Sequence, residues 1–297
     1  MSKDNIETSK GIILAGGSGT RLNPITFASC KQLLPVYDKP MIYYPISTLM
    51  LAGIREIMII TTPHDMEQFQ RLLGDGSQFG VHFEYRQQPS PDGLAQAFLI
   101  AEDWIDDSSC ALALGDNLIF SDQLGGLLRK AAKQHEGATV FAYQVRDPER
   151  YGVVSFNDSG RALEIVEKPQ DPKSNWAVTG LYFYDKNVTK LAKKVKPSAR
   201  GELEITDLNQ MYLDSELLHV ERLGAGCAWL DAGTPDSLMQ AGNFVQTIQS
   251  RQGMLVGSPE EVAFRMGYIN ETQLLKQVNK VKKTELGRML SSLVKHQ

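Results

Sequence analysis

Cysteine is scarce in this chain. Its 297 residues hold 3, Cys30, Cys110 and Cys227, far apart and without a C-x-x-C pair. That excludes a disulfide framework and fits reduced thiols in a cytoplasm. Long apolar runs are missing too: no stretch approaches the roughly 18 residues of a membrane span. The opening Met1-Ser-Lys-Asp-Asn-Ile-Glu-Thr-Ser has no apolar signal core, so a cytoplasmic location is expected. Positive charge is not in excess either. A net charge of −4 offers nothing to nucleic acid or an acidic membrane. The lysine-rich pieces Lys193-Lys194-Val195-Lys196 and 280–283 read as solvated helix faces. The five histidines, His64, His82, His135, His219 and His296, show no metal spacing and no catalytic partner pattern. No internal repeat or low-complexity segment is present. What remains, 42% apolar and 22% charged, is ordinary globular composition, enough for one large α/β domain or two modest ones.

Against these absences one stretch stands out. Ile12-Ile13-Leu14 reads as a buried strand of a parallel sheet. It breaks into Gly16-Gly17-Ser18-Gly19-Thr20, a loop able to take positive φ and to bring bare backbone against a ligand. Successive N–H groups there form an anion-binding concavity. Arg21 adds a guanidinium fork suited to phosphate, and Lys31 follows ten residues later. A plain Gly-rich turn is the competing interpretation of the loop alone. The dinucleotide fingerprint fails, because Leu22 stands where its third Gly belongs. The Walker pattern fails as well, since no Gly-Lys-Ser/Thr closes the loop.

The whole run Leu14-Ala15-Gly16-Gly17-Ser18-Gly19-Thr20-Arg21, with Lys31-Gln32-Leu-Leu-Pro35 behind it, closely resembles the signature of sugar-1-phosphate nucleotidylyltransferases. Its continuation, Pro35-Val-Tyr-Asp-Lys-Pro-Met-Ile-Tyr-Tyr-Pro45, is similar to the glucose-1-phosphate thymidylyltransferase branch. The resemblance runs from Lys10 to about Ile269.

Elsewhere the pattern alternates. Strands are expected at 56–62, 81–86, 110–114 and 138–143, with helices at 41–52, 66–73, 93–105 and 123–134. This rhythm argues for a doubly wound, mostly parallel sheet with ligands at the carboxyl ends of the strands. From 151 to 184 three strands follow with few helices, a mixed or antiparallel layer that adds to the sheet over the sugar end. Helices resume at 188–195 and 205–214, and a further pair of strands ends at Asp231. Thr234-Pro235 opens a long helix as N-cap and first helical residue. Three helical stretches (259–267, 272–281, 286–294) close the chain. The expected fold class is α/β, Rossmann-like, a mixed and mostly parallel sheet flanked by helices. Its expected divisions are an N-terminal tail (1–10), a catalytic domain (11–252, sugar layer about 150–230) and a C-terminal helical extension (253–297).

The reaction that the resemblance implies is attack by a sugar-1-phosphate oxygen on the α-phosphorus of a nucleoside triphosphate. The nucleophile is already ionised at neutral pH, so positioning and charge neutralisation suffice. Asp116 and Asp231 each end an apolar strand. Each alone fits a turn cap; together with a phosphate loop they suit a pair of hard oxygen ligands for Mg2+. The resemblance assigns metal binding to Asp116 and Asp231, and catalysis to Arg21, Lys31 and Lys168. It assigns the nucleotide to residues 14–20, Gln32 and Asp116, and base recognition to Gln88, Pro91 and Gly93 in Gln87-Gln-Pro-Ser-Pro-Asp-Gly93. A Gln there presents a donor and an acceptor to the Watson–Crick edge of a pyrimidine. The sugar falls to Asn117, Tyr151, Gly152, Glu167, Lys168, Val178 and Trp229, with Glu167 on its hydroxyls and Lys168 on its phosphate. The implied substrates are dTTP and glucose 1-phosphate, the first step of dTDP-sugar (for example dTDP-rhamnose) synthesis for cell-surface polysaccharide. Arg251-Gln-Gly and 259–265 resemble a family segment that builds subunit contacts and a second nucleotide-sugar site, so a homotetramer with dTDP-sugar feedback is expected.

Two rivals are weaker. A nicotinamide oxidoreductase needs an acid after the second strand, where Thr61-Thr62-Pro63 stands. A non-catalytic nucleotide-sugar sensor is expected to lose a cation or a metal aspartate, and none is lost here. A uridylyltransferase of the same family remains the alternative within the enzyme class.

Overall fold

A computed structural model describes residues 7–17 and 19–295, the side chain of Lys295 apart. His296 and Ser18 lie outside the described residues. The chain opens with β1 (Lys10–Ala15), the short hairpin β2 (Pro35–Val36) and β3 (Lys39–Pro40), then α1 (Tyr43–Leu51). Next come β4 (Glu56–Thr61), α2 (Met66–Leu73), β5 (His82–Gln87), α3 (Gln96–Ile100), α4 (Glu102–Ile105) and β6 (Cys110–Leu114). β7 (Asn117–Phe120), α5 (Leu124–Ala132), β8 (Ala138–Gln144), β9 (Gly152–Phe156), β10 (Ala162–Glu167) and β11 (Trp176–Tyr184) follow. The last part holds α6 (Val188–Ala192), α7 (Ile205–Asp214), β12 (Leu218–Arg222), β13 (Ala228–Asp231) and α8 (Pro235–Gln252). It ends with α9 (Pro259–Arg265), α10 (Glu271–Val281) and α11 (Glu285–Lys295).

Among the described residues, nine strands form one sheet, with β6-β1-β4-β5 parallel and β11 antiparallel beside β6. β11 also pairs with β8 and β9, so β9 and β10 extend the sheet as an antiparallel layer, as expected. β1 is buried from Gly11 to Ala15, and its side chains alternate between two cores, as strand pleating requires. Ile13 joins Ile57, Ile59 and α1, α5, α9, α10 and α11 residues on one face. Ile12 and Leu14 join Met58, Ile60, Phe98 and Tyr184 on the other. Truncating Ile13 to Ala would cost about 2–5 kcal/mol, since nothing can collapse into the space. The C-terminal helices thus share the main core: Val262, Leu274 and Leu290 are buried in the same cluster as Leu49 of α1.

Three expectations need correction. The helix expected over 93–105 starts only at Gln96 and breaks at Ala101 into α3 and α4. Gly93 has φ +106 and a Cβ there would meet the Leu203 backbone at 2.4 Å, so it stops a helix rather than opening one. The strands before Asp231 are not a pair: β12 joins β8, and β13 joins β7. β7 itself was not expected, because Gly115-Asp116-Asn117 reads as a turn. The N-cap at Thr234 is present, with a reciprocal capping box to Ser237.

Candidate active site

The site is assembled at the carboxyl ends of β1 and β6. Leu14 pairs with Leu114, and the Gly115 N–H donates to the Leu14 carbonyl at 3.0 Å, so the loops leaving both strands run side by side. Gly16 is tight against Gln88: a Cβ would lie 2.6 Å from its Oε1. Gly17 faces the Lys31 ammonium, and Gly19 takes φ +61 before the 3-10 turn Thr20–Leu22 that carries Arg21. The Thr26 hydroxyl donates to the Gly19 carbonyl and holds this bend. Lys31 reaches across the loop to ion-pair with Asp116.

The second carboxylate arrives through strand register. β7 and β13 form a separate two-stranded ribbon in which Asp231 pairs with Asn117. The Ala232 N–H donates to the Asp116 carbonyl at 3.1 Å. This sets Asp231 beside Asp116. Arg21 comes close as well, since a Cβ on Gly233 would meet its Nη2 at 2.6 Å and Asp231 Oδ1 at 3.0 Å. Only a residue without a side chain leaves room there.

Asn117 is the hub of the sugar side. Its Oδ1 accepts Trp229 Nε1 (2.6 Å) and the Gly180 N–H (3.0 Å), while its Nδ2 donates to Asp116 Oδ1 (3.1 Å). Tyr151 packs edge-on against Trp229. Gly152 pairs with Glu167 across β9 and β10, and the Lys168 N–H donates to the Tyr151 carbonyl. Lys168 has φ +43, a strained state for a lysine that neighbouring contacts must hold. The Glu167 carboxylate accepts the Thr206 hydroxyl at 2.6 Å and approaches the Arg200 guanidinium at 3.4 Å.

One cavity of about 450 Å³ brings together Arg21, Asp116, Asn117, Tyr151, Gly152, Glu167, Lys168, Val178, Trp229 and Asp231. Lys31 joins it through Asp116. Leu14 and Ala15 end β1, and Gly16, Gly17, Gly19 and Thr20 follow in the adjoining segment; none of them is in that cavity's wall. Gln32 is buried beneath it, its Oε1 accepting the Cys30 thiol at 2.7 Å. Gln88 lies on the flank, its Nε2 donating to Gln96 Oε1 at 2.7 Å. Pro91 is exposed on the same loop. Residues that sequence reading missed also line the cavity: Leu94, Arg150, Tyr182, Ile205, Thr206 and Asn209. Arg150 immediately precedes the Tyr151-Gly152 motif, a signal that was available. The contact from Thr206 to Glu167 spans 39 residues, and no local pattern announces it.

The two aspartates differ electrically. Burial pushes the Asp116 carboxyl up, but the Lys31 ammonium and the hydrogen bonds from Lys31 and Asn117 more than offset this and hold it low. Burial also pushes Asp231 up, the Asp116 charge adds to it, and Arg21, Lys31 and Arg150 only partly compensate. The nearest Arg150 nitrogen is 3.8 Å from Asp231. Among the described residues no group of three or more His, Cys, Asp or Glu is placed to hold a metal. Two adjacent carboxylates, Asp116 buried and Asp231 partly so, with excess mutual repulsion fit Mg2+, which binds through one or two carboxylates and completes its shell with phosphate and water.

The model of the family described as "Nucleotidyl transferase" matches residues 10–248. A glucose-1-phosphate thymidylyltransferase of Neisseria meningitidis is 57% identical over 96% of this chain and 99% of its own length. One from Xanthomonas campestris pv. campestris is 58% identical over 96% and 97%. A Bacillus anthracis crystal structure, described as a glucose-1-phosphate thymidylyltransferase in complex with a sucrose, superposes with a TM-score of 0.73 at 45% identity. It covers 79% of this chain and 94% of that one. With the loop, the paired aspartates and the polar cavity in one place, the chain belongs to the nucleotidyl transferase family, among the glucose-1-phosphate thymidylyltransferases.

Proposed function

We propose that this protein transfers a thymidylyl group from dTTP to α-D-glucose 1-phosphate, giving dTDP-glucose and pyrophosphate. The observation that carries the reading is the β7–β13 register, which sets Asp231 beside Asp116 in the cavity of Glu167 and Lys168. A phosphate monoester is mostly dianionic at neutral pH, so its oxygen attacks the α-phosphorus without a general base. The new P–O bond forms as the bond to the β-phosphate oxygen breaks, and pyrophosphate leaves with that electron pair. The loop 14–20 presents backbone amides to the triphosphate. Arg21 and Lys31 neutralise the transferring and leaving phosphates. Lys168 anchors the sugar phosphate while Glu167, fixed by Thr206 and Arg200, accepts sugar hydroxyls. Asp116 and Asp231 would hold Mg2+, which when bound supplies charge neutralisation at the phosphate oxygens.

Base choice follows from the same flank. Thymine and uracil share a Watson–Crick edge, so Gln88 cannot separate them; the 5-methyl supplies about 10–200-fold, and a 2′-hydroxyl left without a partner adds to it. dTTP is preferred, UTP is used measurably, and purines are rejected firmly. A panel crossing dTTP, UTP, CTP, ATP and GTP with several sugar 1-phosphates, with and without Mg2+, tests this by pyrophosphate release. The expected maximum is dTTP with glucose 1-phosphate and Mg2+. Release that does not require the sugar phosphate would overturn it.

We further propose a homotetramer restrained by a dTDP-sugar, serving dTDP-sugar synthesis in the cytoplasm. A second cavity of about 470 Å³, far richer in apolar lining, supports this. It lies between Tyr44 of α1, Phe120 of β7 and Leu255, Glu261 and Arg265, the last three on or beside the C-terminal segment that resembles the family's segment for subunit contacts and a second nucleotide-sugar site. Sedimentation showing a monomer would count against it.

A further inference from the structure

At the floor of the main cavity sits an asparagine whose hydrogen bonding is half complete. Asn209 of α7 is 0% exposed, yet it lines the cavity with Ile205, Thr206 and Tyr182. Its Oδ1 accepts the Tyr184 hydroxyl at 2.6 Å. That contact orients the amide, because the Tyr184 ring is itself wedged between Phe98 and Tyr212. Asn209 Nδ2, with two N–H donors, has no partner among the described residues. Buried amide donors are nearly always paired, with protein, water or ligand. An orphan on the floor of a substrate cavity therefore points to the substrate.

The helix supplies the rest of the geometry. Thr206 lies three residues before Asn209 and thus on the same face, and it donates to Glu167 Oε2 at 2.6 Å. The cavity thus has a carboxylate acceptor at Glu167 and an amide donor one turn further along α7. The side chains of Val178, Leu94 and Ile205 in the same cavity are apolar, and the Tyr182 hydroxyl is a further polar group there. A row of acceptor then donor is complementary to a polyol, in which each hydroxyl both gives and takes a hydrogen bond.

We infer that Asn209 is a specificity-determining residue for the sugar phosphate. Its Nδ2 donates to one hexose hydroxyl oxygen beyond those held by Glu167, directly or across a single held water. This rests on the reading that the sugar occupies this cavity.

The test compares wild type, Asn209→Leu and Tyr184→Phe on glucose 1-phosphate and its 2-, 3-, 4- and 6-deoxy analogues, at saturating dTTP. Leu keeps the branched shape and heavy-atom count, adds some bulk and removes the amide. Tyr184→Phe removes only the hydroxyl that orients it. With glucose 1-phosphate, kcat/KM of Asn209→Leu should fall about 10- to 100-fold, the scale of losing a recognised hydroxyl contact. With one deoxy analogue, whose missing hydroxyl was the partner, that loss should shrink to about 3-fold or less, while KM for dTTP stays unchanged. Tyr184→Phe should show the same pattern at smaller amplitude, and it decides the matter if Asn209→Leu does not fold. Equal losses on every sugar phosphate, or none, would overturn the inference. A wild type inactive on dTTP and glucose 1-phosphate would instead sink the assigned reaction.

Discussion

The two halves of the proposed site are built in opposite ways. The proposed nucleotide half is local: loop 14–20, Arg21, Lys31 and Gln32 lie within 19 residues of one another, and backbone amides are its proposed phosphate contacts. The sugar half is composite. Asn117, Tyr151, Glu167, Gly180, Thr206 and Trp229 come from six segments, and each functional group is held by a partner from another segment. A local site depends on loop conformation. A composite site depends on the packing that keeps its pieces in register, so its residues are more sensitive to changes that never touch substrate.

The comparison is tested most severely where the halves meet. Asp116 holds Lys31 on the nucleotide side and Asn117 on the sugar side. Asp116→Asn should lower kcat by at least about 10²-fold, the effect of removing one preorganised electrostatic partner. Near wild-type turnover would remove Asp116 from the mechanism. Steady-state kinetics with both substrates varied would show whether the defect is shared.

Lys168 should separate the halves. Losing a charge-assisted contact to the sugar phosphate costs about 10- to 100-fold in kcat/KM. Lys168→Ala should therefore raise KM for glucose 1-phosphate well beyond KM for dTTP. Equal changes in both would merge the two halves into one. Thr206→Val is the milder probe of composite construction. It removes the hydroxyl that fixes Glu167, and about a 10-fold rise in KM for the sugar phosphate is expected. An unchanged sugar KM would show that Arg200 and Lys168, each 3.4 Å from Glu167 Oε1, position the carboxylate without Thr206.

The same contrast explains what was legible. The glycines, Arg21 and Lys31 could be read because amide-lined phosphate loops leave a contiguous signature. The strands at 10–15, 56–61 and 110–114 were legible because strands buried on both faces become unbroken apolar runs. The β7–β13 ribbon was not: four residues starting in Asp116-Asn117 look like a turn, and only pairing with a segment more than a hundred residues away makes them a strand. Thr206 and Asn209 read as ordinary helix residues. Their meaning lies in what α7 faces, which no periodicity encodes. The break at Ala101 was hidden for a related reason, since apolar residues at 94, 97, 98, 101 and 105 keep helical spacing across it.

The smallest expected effect concerns the aspartate pair without the proposed Mg2+, and here the two residues should move in opposite directions. Asp116 is held low in the fold, so its contribution to stability is present above the unfolded carboxyl value of about 3.9. It is lost as pH falls through the lower folded value. Asp231 is held high. Its contribution is present below about 3.9 and is lost as pH rises through the folded value, so the ionised carboxylate is a burden at neutral pH. In chelator at pH 7, Asp231→Asn should therefore melt higher than wild type, by on the order of 2 °C for a chain of this size. Asp116→Asn should melt lower, because Lys31 loses its buried partner. The advantage of Asp231→Asn should fade below about pH 3.9, where the Asp231 carboxyl is neutral in the folded and the unfolded chain alike. Adding Mg2+ should raise the wild-type melting temperature and leave the variant nearly unmoved, since binding stabilises only the form that binds. Thermal melts across pH, with and without Mg2+, measure all of this. An Asp231→Asn protein that melts below wild type in chelator would mean that Arg21 and Arg150 already neutralise Asp231, and that the carboxylate is a structural anchor rather than a strained metal ligand.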